Sequence, residues 1–72
     1  MFESIIYQVG SWHHVETGDD WLTLYRKALA GAQEFNAKAE STESPHIENV
    51  CVIDLWTGEV IIHAESEELE DY

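Results

Sequence analysis

Basic side chains are scarce in this chain. Three Lys and Arg residues stand against fifteen Asp and Glu residues, which gives a formal net charge of −12 at pH 7. Because nucleic acids and anionic membranes carry charge of the same sign, this balance argues against direct binding to either. It favours a basic protein surface or divalent cations as the partner, and it is also compatible with acidity that serves solubility alone.

Cysteine and long apolar runs are equally scarce. Cys51 is the only cysteine, so no internal disulfide can form and a reducing, cytoplasmic compartment is expected. No stretch approaches the roughly 18 consecutive apolar residues that indicate a bilayer span. The first residues also lack the basic residues and apolar core of a secretory signal. We therefore expect a cytoplasmic protein with no membrane contact.

The sequence contains none of the common catalytic or metal-binding motifs. There is no glycine-rich phosphate loop, no nucleophile elbow, no Cys-x-x-Cys and no His-Glu-x-x-His. His13 and His14 are adjacent, so on a strand they point to opposite faces, and with His46, His63 and Cys51 they lack the paired spacing of zinc ligands. We predict that the protein is not an enzyme and that it holds no metal and no cofactor.

What the chain does contain is enough apolar residues for one small folded domain. Hydrophobic residues make up 44% of its 72 residues, more than acidic disordered segments usually carry. The last residues are dominated by Glu and Asp. We predict a domain over residues 1–64 followed by an acidic C-terminal tail over 65–72, which is expected to fray.

Two regions have the pattern of β-strands. Ile5, Tyr7 and Val9 alternate with their neighbours, which predicts a strand that begins at Phe2. The strand either ends at Gly10 or bends there and continues to Val15, and we favour the bent continuation. The runs 49–54 and 60–62 flank a Thr-Gly-Glu turn and predict a hairpin in which Gly58 takes the left-handed conformation. Leu55 and Trp56 would then lie at the tip of that turn.

Between these regions lies an amphipathic helix. Thr17 is predicted as its N-cap, followed by acidic residues in the first turn. The apolar residues from Trp21 to Phe35 fall on one arc, which Asn36 interrupts, and the helix is expected to continue to about Lys38. The polar segment 39–46 is predicted as a loop.

The predicted fold class is α+β, a single small domain of order β-α-β-β. One long amphipathic helix covers one face of a three-stranded sheet, and we expect an antiparallel sheet. In that arrangement the first strand pairs with the last, whereas pairing with 49–54 would be parallel; the sequence leaves both arrangements open. The other sheet face is expected to carry Ile6 and half of the hairpin's apolar residues, which makes it a candidate dimer interface.

The functional hypothesis is a non-enzymatic binding protein. An exposed tryptophan beside carboxylates is typical of a surface that binds a basic partner. In size and charge the chain is similar to small phage-type inhibitors that mimic DNA and act on nucleic-acid-handling enzymes. The alternative function is a small structural or accessory domain that homodimerises through its sheet. For Trp56 itself, the alternative is that its side chain folds back over the sheet edge. The candidate partner-binding residues are Trp56, Leu55, Asp54, Glu59, Trp12, Asp19 and Asp20.

Overall fold

The computed structural model describes residues 1–65 and Leu69. The chain forms strand β1 over Phe2–Gln8, strand β2 over Ser11–Gly18 and helix α1 over Trp21–Thr42. Strand β3 over Ile47–Asp54 and strand β4 over Val60–Glu65 follow the helix. The order is therefore β-β-α-β-β, with one strand more than the sequence predicted.

The four strands form one antiparallel sheet in the order β2-β1-β3-β4. Helix α1 packs on one face of this sheet, so the expected combination of one helix with an antiparallel sheet is confirmed. The hairpin predicted after the helix is also confirmed, since β3 pairs with β4 and Gly58 has a φ of 78°. The prediction of three strands is wrong, and so is the strand order that went with it.

The error arises at Val9 and Gly10, where the chain reverses instead of bending. Both residues have positive φ, 53° and 75°, and they form a two-residue turn between the paired residues Gln8 and Ser11. Two consecutive left-handed residues are what a tight hairpin requires, and Asn-Gly is the usual signal for them. Valine is β-branched and avoids this conformation, so the pair Val9 and Gly10 does not indicate a tight turn in the sequence.

The extra strand also moves the start of the helix and settles how β1 pairs. Thr17 lies in β2 opposite Glu3, so it is not the N-cap, and Asp20 takes that position. Because β2 has already reversed the chain, β1 and β3 run antiparallel rather than parallel. At its other end the helix continues to Thr42 and Glu43 is its left-handed C-cap, so only the last part of the predicted loop 39–46 is a loop.

The core lies between α1 and the helix-facing side of β1 and β3. A buried cluster contains Ala28, Ala32, Ile47, Val50 and Leu69, and Ile6 packs against it. Ile6 therefore faces the helix, which corrects the expectation that it lies on the other face. Since successive side chains of a strand alternate, Ile5 and Tyr7 occupy the face that α1 does not cover.

Asn36 explains the interruption of the apolar arc of the helix. Its side chain is buried and donates from Nδ2 to the carbonyl oxygen of Ile47 at 3.0 Å. The backbone N–H of Ile47 donates in return to Oδ1 of Asn36 at 2.7 Å. A buried amide is tolerated only when it is hydrogen-bonded, and here it ties the helix to the first residue of β3.

Part of the predicted acidic tail belongs to the folded structure. Glu65 is the last residue of β4, and Leu69 is fully buried in the core cluster. Positions 66–68 and 70–72 lie outside the described residues, so the predicted division between domain and tail stays a prediction for them.

Replacing Val9 by Asn is expected to stabilise the protein. Val9 is exposed, so little burial is lost, and Asn accepts a positive φ far better than a β-branched residue. We expect a gain of about 1 kcal/mol in the free energy of unfolding, or about 4–8 °C in the melting temperature. Thermal unfolding followed by circular dichroism measures it, with Val9→Thr as a β-branched control. An equal or lower melting temperature for Val9→Asn would contradict the strained turn.

Candidate partner-binding site

The turn between β3 and β4, which we call the Trp56 turn and define as residues 54–59, is held by a set of hydrogen bonds. The Asp54 N–H donates to the carbonyl of Glu59 at 2.9 Å, and the Gly58 N–H donates to the carbonyl of Asp54 at 2.7 Å. One carboxylate oxygen of Asp54 accepts from the Trp56 N–H at 2.8 Å. The Glu59 N–H donates to the hydroxyl of Thr57 at 3.2 Å. The backbone that carries Trp56 is therefore well ordered by its own contacts.

Trp56 itself points into solvent. Its side chain and backbone are 91% exposed, so it does not fold back over the sheet edge. Leu55 and Met1 are exposed beside it, and the Leu55 N–H donates to the carbonyl of Met1 at 3.1 Å. The turn thus exposes two large apolar side chains, and the backbone of Met1, a third exposed apolar residue that the sequence did not indicate, is hydrogen-bonded to it. Burying an indole of this kind removes on the order of 200 Å² from water.

The start of α1 lies at the same end of the sheet as the Trp56 turn. In the strand register, Phe2 is flanked by Gly18 of β2 on one side and by Asp54 of β3 on the other. Asp19 and Asp20 directly follow Gly18, so the structure brings these carboxylates to the end that carries Trp56. Asp54 and Glu59 flank the turn itself. Of the six other residues predicted to bind the partner, the four acidic ones thus lie at the end of the molecule that carries Trp56.

Asp20 has a structural task as well. Its Oδ1 accepts hydrogen bonds from the N–H groups of Leu22 and Thr23, and its Oδ2 accepts from the Thr23 hydroxyl at 2.8 Å. The hydroxyl and backbone bonds from Thr23, followed by the Leu22 N–H, favour the charged carboxylate and lower the pKa of Asp20. The structure therefore uses this carboxylate as the N-cap, and its part in partner binding stays a prediction.

Trp12 lies at the opposite end of the sheet. It pairs with Tyr7 across β1 and β2, and the two ring centroids are 4.9 Å apart in an edge-to-face arrangement. Tyr7 lies five positions after Phe2 in β1, which corresponds to about 17 Å along the strand. Trp12 and Trp56 are both exposed, but they belong to two separate surfaces.

The cationic side chains are placed mainly on the helix side of the molecule. The Lys27 ammonium lies 3.1 Å from the Glu16 carboxylate, and the Lys38 ammonium lies 3.1 Å from Glu34. Both pairs are exposed, so they contribute little stability. Their effect is on the charge distribution, because the two lysines partly neutralise Glu16 and Glu34, whereas Arg26 is the cation that acts on Asp20 at the Trp56 end.

The histidines and Cys51 do not assemble into a common site within residues 1–65. No group of three or more His, Cys, Asp or Glu side chains there has the arrangement of metal ligands. Cys51 is buried in β3, and its burial raises the pKa of the thiol. A thiol with a raised pKa and little access to solvent is a poor nucleophile at neutral pH.

The role of Asp20 as a charged cap predicts a pH-dependent contribution to stability. A carboxyl whose pKa is lowered by folding stabilises the protein above its unfolded pKa, and this is lost as pH falls through the folded pKa. We expect Asp20→Asn to melt below the wild type at pH 7, and the difference to shrink as pH falls through the lowered pKa of Asp20 and the carboxylate loses its charge. Asp19→Asn, one residue outside the cap, controls for the loss of one negative charge. A pH-independent difference between Asp20→Asn and the wild type would contradict the charged cap.

Comparison of the chain with protein-family models, with curated proteins and with solved structures found no match. Among the described residues, no helix is both long and apolar enough to cross a membrane.

Proposed function

We propose that this protein is a non-enzymatic binding protein that engages a basic protein surface through the Trp56 turn. The observation that carries the proposal is the 91% exposure of Trp56 on a turn whose backbone is held by internal hydrogen bonds. Leaving a large aromatic side chain in water forgoes about 3–5 kcal/mol of burial, and aromatic residues in such positions are frequent binding hot spots.

The charge around the turn supports a basic partner. Asp54 and Glu59 flank Trp56, and Asp19 lies at the same end of the sheet. With a formal net charge of −12, the whole molecule attracts a basic surface and raises the association rate. The indole would supply the buried apolar contact, and the carboxylates would supply the orientation and the dependence on salt.

The most specific form of the proposal is an inhibitor of a nucleic-acid-handling enzyme. The DNA-binding surface of such an enzyme is positively charged, and carboxylates can occupy the positions of phosphates there. The preordered turn would add a contact that DNA does not make, which would favour the inhibitor over a nucleic acid of similar charge. In this form duplex DNA and the protein compete for one surface.

The Trp56→Ala substitution tests the proposal. Immobilised wild type, Trp56→Ala and Trp12→Ala are exposed to a nuclease-treated cell lysate at low and at high salt, and the retained protein is purified for calorimetry. We expect the wild type and Trp12→Ala to bind one basic protein at low salt and to release it at high salt. Trp56→Ala should bind it about 30-fold more weakly, which corresponds to about 2 kcal/mol.

The contribution of charge is separated by isosteric variants. Asp54→Asn keeps an oxygen that can accept from the Trp56 N–H, and Glu59→Gln keeps the shape of its side chain. The double variant should bind more slowly and with a smaller dependence on salt, because charges at the edge of an interface act mainly on the association rate. Equal binding of Trp56→Ala and wild type, or binding insensitive to salt, would refute the proposal. Failure of duplex DNA to compete would remove only its DNA-mimic form.

A further inference from the structure

The sheet face opposite α1, which we call the open face, is a second surface that no other described part of the chain covers. The strand registers place twelve side chains on it, three from each strand. The register forms three rows across the sheet, centred on Glu3, Ile5 and Tyr7 of β1. Contacts within the face agree with this assignment, since Tyr7 packs on Trp12 and Glu3 contacts His14.

The apolar side chains of the open face form one continuous diagonal stripe. It begins at the β2 corner, crosses β1 and β3, and ends at the β4 corner. Trp12 and Val60, at its two ends, are 53% and 56% exposed, and Cys51 at its centre is buried by its neighbours. From corner to corner the stripe consists of Trp12, Tyr7, Ile5, Cys51, Ile53 and Val60.

The core on the other side of the sheet contains several small residues. Apart from Cys51, which lies on the open face, four of the nine buried hydrophobic residues among those described are alanines. Sheets in stable domains are normally covered on their apolar face by a second layer, and here the helix covers only one side. The larger aromatic and aliphatic side chains of the stripe therefore lie on a face that the described chain leaves open.

The charge of the open face permits two copies to approach there. Two carboxylates lie on this face among the described residues, and each is beside a histidine. The Glu3 carboxylate is 2.8 Å from Nδ1 of His14, and the Glu65 carboxylate is 3.8 Å from Nε2 of His63. For a chain with a net charge of −12, this face opposes self-association far less than the Trp56 end does.

The dimensions of the face suit a weak dimer. Four strands and five residues along each correspond to about 19 Å by about 17 Å, or about 320 Å² of flat area per copy. Side chains project from this plane, so the buried accessible surface is larger than the flat area. Two copies would bury on the order of 1,000 Å² in total, which is at the lower limit for specific association. Two stacked sheets about 10 Å apart would then share one apolar layer.

We propose that the open face is a self-association surface through which a second copy of this chain packs sheet against sheet. The inference concerns a different face from the Trp56 turn and does not depend on the partner proposed for that turn. It also predicts the opposite response to salt. Salt screens the repulsion between two acidic copies and strengthens apolar contact, so the dimer should tighten where binding of a basic partner weakens.

Sedimentation velocity over a range of concentrations, at low and high salt, tests this proposal. The wild type should change from 8.3 kDa towards about twice that mass as concentration rises from about 10 μM to about 1 mM, and earlier at high salt. Val60→Glu places an added charge on the open face and should raise the dissociation constant of the dimer at least tenfold. Trp12→Ala should weaken association similarly, and circular dichroism should show that both variants are folded.

Two variants serve as controls. Ala30→Glu adds the same charge on the exposed side of α1, and Trp56→Ala removes an aromatic side chain away from the open face; both should dimerise like the wild type. A monomer at about 1 mM in high salt would overturn the inference. So would a dimer that Val60→Glu and Trp12→Ala leave unchanged, because association would then use another surface, such as the free edge of β4.

Discussion

Asn36→Ala is expected to destabilise the protein by about 2–4 kcal/mol. The substitution removes both hydrogen bonds to Ile47 and leaves a buried N–H and a buried carbonyl without their partner, each costing about 1–3 kcal/mol. A domain of this length has a total free energy of unfolding of only about 4–11 kcal/mol. Urea unfolding should therefore show a much lower midpoint with an unchanged slope.

Two variants sharpen this test. Asn36→Asp retains an oxygen to accept from the Ile47 N–H but has no donor for the Ile47 carbonyl, so it should fall between the wild type and Asn36→Ala. Asn49→Ala, a half-buried asparagine of β3, should lose less than about 1 kcal/mol. If Asn36→Ala were no less stable than Asn49→Ala, the link between α1 and β3 would not matter for folding.

Leu69→Ala is expected to lower the free energy of unfolding by about 3–4 kcal/mol, which is as much as Asn36→Ala or more. Leu69 is fully buried in the core cluster, where its helix neighbours are Ala28 and Ala32. Because alanine side chains cannot move to fill the space that Leu69 would leave, the cavity should persist, and persistent cavities give the upper part of the range for this substitution. A large part of the stability of the domain would be lost, and thermal unfolding should show a broad transition at low temperature.

A matched leucine elsewhere provides the control for Leu69. Leu22 on α1 is partly exposed, so Leu22→Ala removes the same atoms with much less loss of burial. Leu69→Met, which nearly conserves volume, should cost less than about 1.5 kcal/mol. A smaller loss for Leu69→Ala than for Leu22→Ala would show that Leu69 does not complete the core in solution.

The parts of the fold that were predictable are those in which local pattern and tertiary packing agree. The apolar period from Trp21 to Phe35 identifies α1, and the runs on both sides of Thr57 and Gly58 identify the second hairpin. Gly58 accepts a positive φ without strain, so its sequence signal and its conformation coincide. The position of Trp56 at the tip of the turn followed from the same hairpin.

Strand β2 was not predicted as a separate strand, because the local pattern at its start is misleading. Val9 occupies a conformation that its side chain disfavours, and the pairing of β2 along β1 compensates for it. Once that hairpin is overlooked, Thr17 becomes an attractive N-cap and Ile6 is assigned to the wrong face. Leu69 is a similar case, because an isolated leucine among acidic residues carries no periodic signal.

Some residues of the candidate site could be grouped from the sequence, and others only from the structure. Leu55, Asp54 and Glu59 could be joined to Trp56 because all four belong to one turn. Asp19 and Asp20 reach the same end only through the register of β2, β1 and β3, and Trp12 is excluded from it by that register. The sequence predicted that one face of the sheet stays uncovered, but it did not give the right side chains of β1 on that face. The structure places Ile5 and Tyr7 there instead of Ile6.

The amino-acid sequence by itself determined the acidic charge, the amphipathic helix, the second hairpin and the position of Trp56 in its turn. These depend on composition and on interactions between residues close in the chain. Only the tertiary structure decided the first hairpin, the strand order, the burial of Asn36 and Leu69, and the separation of Trp12 from Trp56. Those features depend on contacts between residues distant in sequence, whose energy outweighs the local preference of a residue such as Val9.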